Sequence, residues 1–410
     1  MNGGIDTATP RTGTGRLVLV LGGLSAVSPF AVDMYAPGFP QIVSSFGTTT
    51  AAVQFSLTSC LVGFAAGQLV LGPVSDTLGR RRLLLAGAAL FAIFSVVCAL
   101  APNLAVFDLA RLCQGVAGGA GIVLGRAVIS DLFTGAGAAR RLTALSVIGS
   151  TAPVLAPVLG GAVVGLGSWR LVFAVLAVTG MLLLAGVGSW VPESLPAHRR
   201  LPGGSRRAAA AMGRLLRRRA LVGHLLVAGC GIGALFAYIS GSPFVFQDGY
   251  GLSPAVYSLV FATNAAGTVV AGALFARLAG RVRLNTLLTI GVLVMALATG
   301  TLVLLLLAGV STVPTTWICL FGATFGFGIV LPASTTIILA IGGDAPGAAS
   351  GLIGGAQFLI GAAAAPLPGA AGATTALSTA VAVLGFALVA AVALFVLARP
   401  REGNGEPETA

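Results

Sequence analysis

Twelve runs of apolar residues alternate with short polar connections along the chain, at 17–44, 53–73, 83–101, 104–129, 142–166, 170–191, 221–246, 255–278, 286–308, 315–340, 347–369 and 376–398. A run of about 20 apolar residues crosses a bilayer as a helix. Longer runs leave room for tilt, or for kinks at Pro and Gly. The pattern predicts an all-α polytopic membrane protein with twelve transmembrane helices. One long connection, about 192–220, parts the runs into two sets of six. The expected organisation is a tail over 1–15, a six-helix half over 16–191, a basic central loop over 192–220, a second half over 221–398 and a tail over 399–410.

Composition agrees. The chain is 57% hydrophobic and 8% charged, whereas an ordinary soluble domain carries about 25% charged residues. A net charge of +12 would suit a nucleic-acid binder, but its placement argues for topology instead. All 23 basic residues are Arg, and 20 of them lie in the tails and in alternate connections. These are Arg11 and Arg16, Arg80 to Arg82, Arg140 and Arg141, eight in the central loop, Arg277, Arg281 and Arg283, and Arg399 and Arg401. The opposite connections hold only Arg170, while Arg111 and Arg126 lie inside runs. The positive-inside rule then places both termini in the cytoplasm. No secretory signal is expected, because residues 1–15 are polar and the first run lacks an A-x-A exit. Residues 207–219 of the central loop read either as a basic amphipathic helix on the inner membrane surface or as a plain anchor and linker. Cys60, Cys98, Cys113, Cys230 and Cys319 fall in apolar runs without metal-ligand spacing and read as small buried hydrophobes.

Inside the first run stands Asp33, the only charge between Arg16 and Asp76. An acid within a span is costly unless neutralised, paired or wetted, and is a functional candidate by default. A proton carrier is its simplest role. The alternative is a cap on a half-helix broken ahead of Pro37. In the fourth run Arg111 has two open readings: a partner that stabilises ionised Asp33, or a structural pair with Asp108, one turn earlier. Arg126 and Asp131, near the inner end, read as a structural pair.

Three motifs add chemistry. Gly72-x-x-x-Asp76-x-x-Gly79-Arg80-Arg81 follows the second run. Gly72 permits close helix contact, Gly79 a tight turn, and Asp76 an ion pair with an Arg or a helix N-terminus. It resembles the signature loop of the major facilitator superfamily, with Thr77 where a basic residue is usual. A Gly followed by an Arg-rich turn, Gly272 to Arg283, recurs after the eighth run and suggests duplicated halves around a central cavity. Arg111 resembles the superfamily's fourth-helix Arg, which that resemblance links to proton coupling. Pro153, Pro157, Gly160 and Gly161 in the fifth run resemble the motif of superfamily exporters, with Ala156 in place of Gly.

The resemblance narrows further. Asp33-Met34-Tyr35 with Pro37 and Pro40, the stretch Phe236 to Gln247 with Tyr238, Ser240, Ser242 and Pro243, Phe261 with Asn264, and Ala348 to Leu352 with Gln357 are similar to the bicyclomycin-resistance (Bcr/CflA) type of drug exporter. That resemblance implies proton-driven efflux of small amphipathic drugs from a bacterial cytoplasmic membrane. It needs no cofactor beyond the proton gradient, and a monomer is expected. Tyr35, Gln114, Phe236, Tyr238, Asn264 and Gln357 are the substrate-cavity candidates, with Asn264 and Gln357 read equally as interhelical hydrogen bonds. Phe244 and Phe246 are assigned to an outer aromatic belt. An exporter, symporter or uniporter of a metabolite such as a sugar is the alternative function. Sugar sites need many polar groups, and these runs hold few. An enzyme would need a nucleophile and base, yet G-x-S-x-G and H-E-x-x-H are absent, and His198 and His224 lie in the central loop and near the start of the seventh run.

Overall fold

The computed structural model describes residues 14–196 and 204–399, with the side chains of 204–209 and Pro73 left aside. The 1–13 and 400–410 parts of the tails, and His198, Arg199 and Arg200 of the central loop, lie outside the described residues. The described chain is helical: α1 (Thr14–Asp33), α2 (Phe39–Phe46), α3 (Thr50–Leu78), α4 (Arg80–Leu100), α5 (Leu104–Leu132), α6 (Gly135–Gly165), α7 (Arg170–Trp190), α8 (Gly204–Leu215), α9 (Arg219–Pro243), α10 (Pro254–Leu278), α11 (Leu284–Leu307), α12 (Val313–Ile341), α13 (Pro346–Ala364) and α14 (Ala376–Val392). Apart from α8, and with α1 and α2 sharing the first, these helices and their short continuations form twelve membrane-spanning segments. They make two six-helix halves around a central cavity, as the run pattern predicts.

The first span is broken. Its α-helix ends at Asp33, Ala36–Gly38 form a 3-10 turn, and α2 resumes at Phe39. Pro37 has no N–H to pair the Asp33 carbonyl and its ring crowds that oxygen, which ends α1 there, while Pro37 and Pro40 each fit the opening turn of the next element. Pro153 and Pro157, by contrast, are absorbed within an unbroken α6.

Without water, close packing between spans relies on small residues. The most extensive seam joins α3 to α5. A Cβ added to Gly63 would stand 3.0 Å from Gly115 Cα, and one added to Gly119 would meet Gly67 Cα at 3.1 Å. Large apolar side chains such as Leu182, Leu297 and Leu304 face outward, where lipid would surround them.

The central loop differs from expectation. A helix forms, but over 204–215 rather than 207–219, and it stops before Arg217. Leu215 is buried with Leu221, Ile338 and Ala349 of the second half, so packing sets the helix end. Arg218 then holds Asp344 with two 2.8 Å hydrogen bonds.

Candidate functional site

The break in the first span exposes main-chain oxygens that a continuous helix would pair. Arg111, fully buried on α5, takes one of them: its Nη2 donates to Ala31 O at 2.9 Å. Nη1 donates to Gln114 Oε1 at 2.6 Å. The guanidinium lies 4.3 Å above the Tyr35 ring and 5.5 Å above that of Phe173. Gln114 passes the network on, donating to Ser95 Oγ at 2.7 Å.

This corrects two expectations. Arg111 makes no ion pair with Asp33 or Asp108 among the described residues. A helix C-terminus carries about half a negative charge, and the freed Ala31 carbonyl draws Arg111 inward. Asp33 is left 5% exposed, with Oδ1 unpartnered. Asp108 Oδ1 is also without a partner.

Between the halves lies a cavity of about 670 Å³. Asp33 and Tyr238 border its closed part. Thr143 of α6 and Ala273 of α10 line it towards the Arg-rich ends of those helices, and Pro332 of α12 lines it as well. Phe236, Phe261, Phe327 and Phe358 supply apolar wall, and Gln357 one of the few carboxamides or charges. The opposite end is shut. Tyr35, Phe39 and Phe244 form a chain of rings with centroids 4.9 and 6.0 Å apart. Gln54 donates to Ser240 O and to Thr374, Thr58 to Ala362 O, and Gln247 to Pro37 O.

The six cavity candidates therefore divide. Phe236, Tyr238 and Gln357 line the cavity. Tyr35 and Gln114 do not, because both are turned onto Arg111 in the interior of the first half. Asn264 stands behind Tyr238, donating to its hydroxyl at 2.9 Å and accepting from Trp317 Nε1 at 3.1 Å. Phe244 and Phe246 are not a belt: both are buried, and they pack on Phe39 and Tyr257. The polar face of α6, Thr143, Ser146, Ser150 and Thr151, also lines the cavity and went unread. Its three- and four-residue spacing was the available signal.

Gly160 and Gly161 have distinct contacts. A Cβ on Gly160 would overlap Met34 O at the break. One on Gly161 would overlap Ser258 Oγ and lie 2.7 Å from Ser258 Cβ, on the facing half.

At the Arg-rich end Gly79 adopts φ 97°, a conformation that favours glycine. The turn lets Arg80 reach Asp76 at 2.8 Å, Asp131 at 3.2 Å, and Ser75. Asp131 also accepts from Ser194 at 2.8 Å. Its partner is thus Arg80, not Arg126. Five residues along a helix turn the side chains to different faces. Glu193 caps α4, accepting from the Arg80 and Arg81 amides at 2.9 and 3.3 Å. Arg81 donates to Gly188 O at 2.6 Å. Gly72 has slacker packing: its Cβ would meet Val123 at 3.4 Å.

Residues 21–366 match the family model described as Major Facilitator Superfamily. The chain belongs to that superfamily. It is 37% identical over 397 residues to "Uncharacterized MFS-type transporter YdgK" of Bacillus subtilis, covering 96% of this chain and 98% of that one. It is 29% identical to "Bicyclomycin resistance protein homolog" of Haemophilus influenzae, over 84% and 86% of the two chains. This superfamily member also shares its fold with a solved bacterial homolog of the human lysosomal transporter Spinster. The TM-score is 0.79 at 16% identity, covering 98% of this chain and 100% of that one. The protein is a membrane transporter rather than an enzyme.

Proposed function

We propose that this transporter exports small amphipathic compounds in exchange for protons by alternating access, with Asp33 as the proton carrier. One observation carries the reading: a buried carboxyl with a free oxygen heads a cavity whose walls are mostly apolar. A lone charge is costly there, so Asp33 takes a proton or meets a cationic partner. The bicyclomycin-resistance name of a relative supports drug-like cargo. A sugar would find too few polar groups on these walls.

In this reading the protein is a monomer in a bacterial cytoplasmic membrane, with both tails and the central loop in the cytoplasm. The described state faces the cytoplasm. Cargo enters the cavity as Asp33 releases its proton inward, and rocking of the halves presents the cargo outside. Each proton brought inward releases about 2.3 kcal/mol per 100 mV, so a neutral cargo exchanged for one proton is driven out by potential and pH together. Arg111 couples to this step through Ala31, two residues from Asp33 in the same last turn of α1. Asp76, Arg80 and Arg81 act as a clasp that rearranges as the halves rock.

The test is Asp33→Asn in proteoliposomes with an imposed pH gradient, challenged with a panel of antibiotics including bicyclomycin. The parent should move protons when cargo is added, and the variant should fold, bind neutral cargo and move none. Cargo-dependent proton flux through the variant would place the coupling carboxyl elsewhere, with Asp108 next to test.

A further inference from the structure

The hydroxyls on α6 differ from free hydroxyls in what they offer. Thr143 donates to Ala139 O, Ser146 to Leu142 O, Ser150 to Ser146 O and Thr151 to Val147 O, at 2.8–3.1 Å. A hydroxyl carries one proton, so what each presents to the cavity is lone pairs. Thr268 and Thr324, on the opposite wall, also spend their protons on main-chain oxygens. Among the described residues the lining contains no Arg or His, and Asp33 borders the same space, 5% exposed, with its Oδ1 buried and unpartnered. The α1–α6 wall is therefore rich in acceptors, and among the described residues Ser28 is the one hydroxyl on it whose proton is not given to the main chain.

The spacing of these acceptors follows from the packing. Helices α1 and α6 run side by side in the same direction, with Gly22 against Ile148 and Met34 against Gly160. Thr151 lies nine residues before Gly160, which at 1.5 Å per residue sets it about 13 Å along the axis from the level of Asp33. Drug-sized ligands occupy cavities of roughly this volume and can span that distance.

We infer that the cavity selects elongated amphipathic cations bearing two hydrogen-bond donors. An N–H ammonium sits at Asp33, and a neutral N–H or O–H group at the far end meets Ser150 and Thr151. Ser150 and Thr151 are then specificity determinants, and charge alone does not suffice. A quaternary ammonium brings the charge to Asp33 without a proton to donate. This deepens the export reading, on which it rests for the direction of transport only.

The test is equilibrium binding to the full-length protein in nanodiscs, by calorimetry. The probe is a para-substituted biphenyl with an aminomethyl group at one end and an acetamide N–H at the other. Its trimethylammonium analogue and its N-methyl acetamide analogue each remove one set of donors. A charge-assisted hydrogen bond is worth enough that trimethylation should weaken binding about tenfold or more, and a neutral one enough that N-methylation should weaken it about three- to tenfold. In Ser150→Ala/Thr151→Val the second difference should vanish and the first remain. Loss of packing alone would weaken all three ligands together. The inference falls if the parent binds none of the three, if it binds the trimethylammonium analogue as well as the amine, or if the double variant keeps the N-methyl effect. Binding needs no proton gradient, so failure of antiport with this pattern intact would sink the export reading alone.

Discussion

Gly161→Ala tests whether the described state is one of two that the halves adopt. Gly161 of α6 faces Ser258 of α10, so its contact crosses between the halves at the closed end. An added Cβ would overlap Ser258 Oγ, stand 2.7 Å from Ser258 Cβ and reach Pro254 O at 3.0 Å. Forcing a methyl into such a contact costs about 1–3 kcal/mol. That cost is felt only when this end is shut, so the equilibrium should move about 5- to 150-fold towards the alternative, with this end open. Gly160→Ala is the control. Its Cβ would meet Met34, on the same half, and so would strain both states alike. Spin labels on Ser45 and Ala308, exposed on the two halves at this end, would report the separation in a cysteine-free background. Gly161→Ala should enlarge the long-distance population, and adding Ser258→Gly should restore the parent distribution. An unchanged distribution in Gly161→Ala, or a shift that Ser258→Gly leaves in place, would refute the reasoning.

Arg111→Ala should lower the melting temperature as well as transport. It leaves Ala31 O and Gln114 buried without their charged donor, a loss of about 1.5–3 kcal/mol for each bond. Arg111→Lys should restore little, since a point ammonium cannot hold both oxygens and lie flat on Tyr35; thermal unfolding near the parent's for either variant would count against the anchoring role. Asp76→Asn should leave folding intact, because the Asp76 side chain is 43% exposed and Arg80 retains Asp131. Its transport rate should fall at equal expression, and parental transport would remove the clasp role.

The periodicity of apolar residues made the architecture legible, since lipid demands long helices whatever their partners. Asp33 and the proline break were legible for the same reason: a charge or a helix breaker inside a span has few innocent explanations. Which side chains meet was not. Arg111 and Asp33 share a membrane level by residue count, yet a freed carbonyl two residues earlier captured the Arg. Phe244 and Phe246 lie near a span end, where aromatic side chains commonly face the interface, but here that end is where the halves close. The pairing of Asp131 depends on Arg80 arriving from another helix. The Gly63, Gly67, Gly115 and Gly119 seam stood in the sequence as two G-x-x-x-G patterns, and was readable without coordinates.

The short stretch after Asp33 joins two parts of the proposed cycle. Within it, Met34 O abuts Gly160 of α6, and Pro37 O accepts from Gln247, beyond the end of α9. Tyr35 lies under Arg111, and Phe39 stacks towards Phe244. The closed end of the cavity is thus partly built from the backbone and rings that begin where the carboxyl sits. A change at Asp33 and a change in closure act on the same few residues. The break lets them do so, because a continuous helix would give Ala31 O a main-chain donor and leave it one lone pair, not two, for Arg111. An intact hydrogen-bonded helix through this stretch would keep a carboxyl at the same depth but lose its mechanical link to the closed end of the cavity.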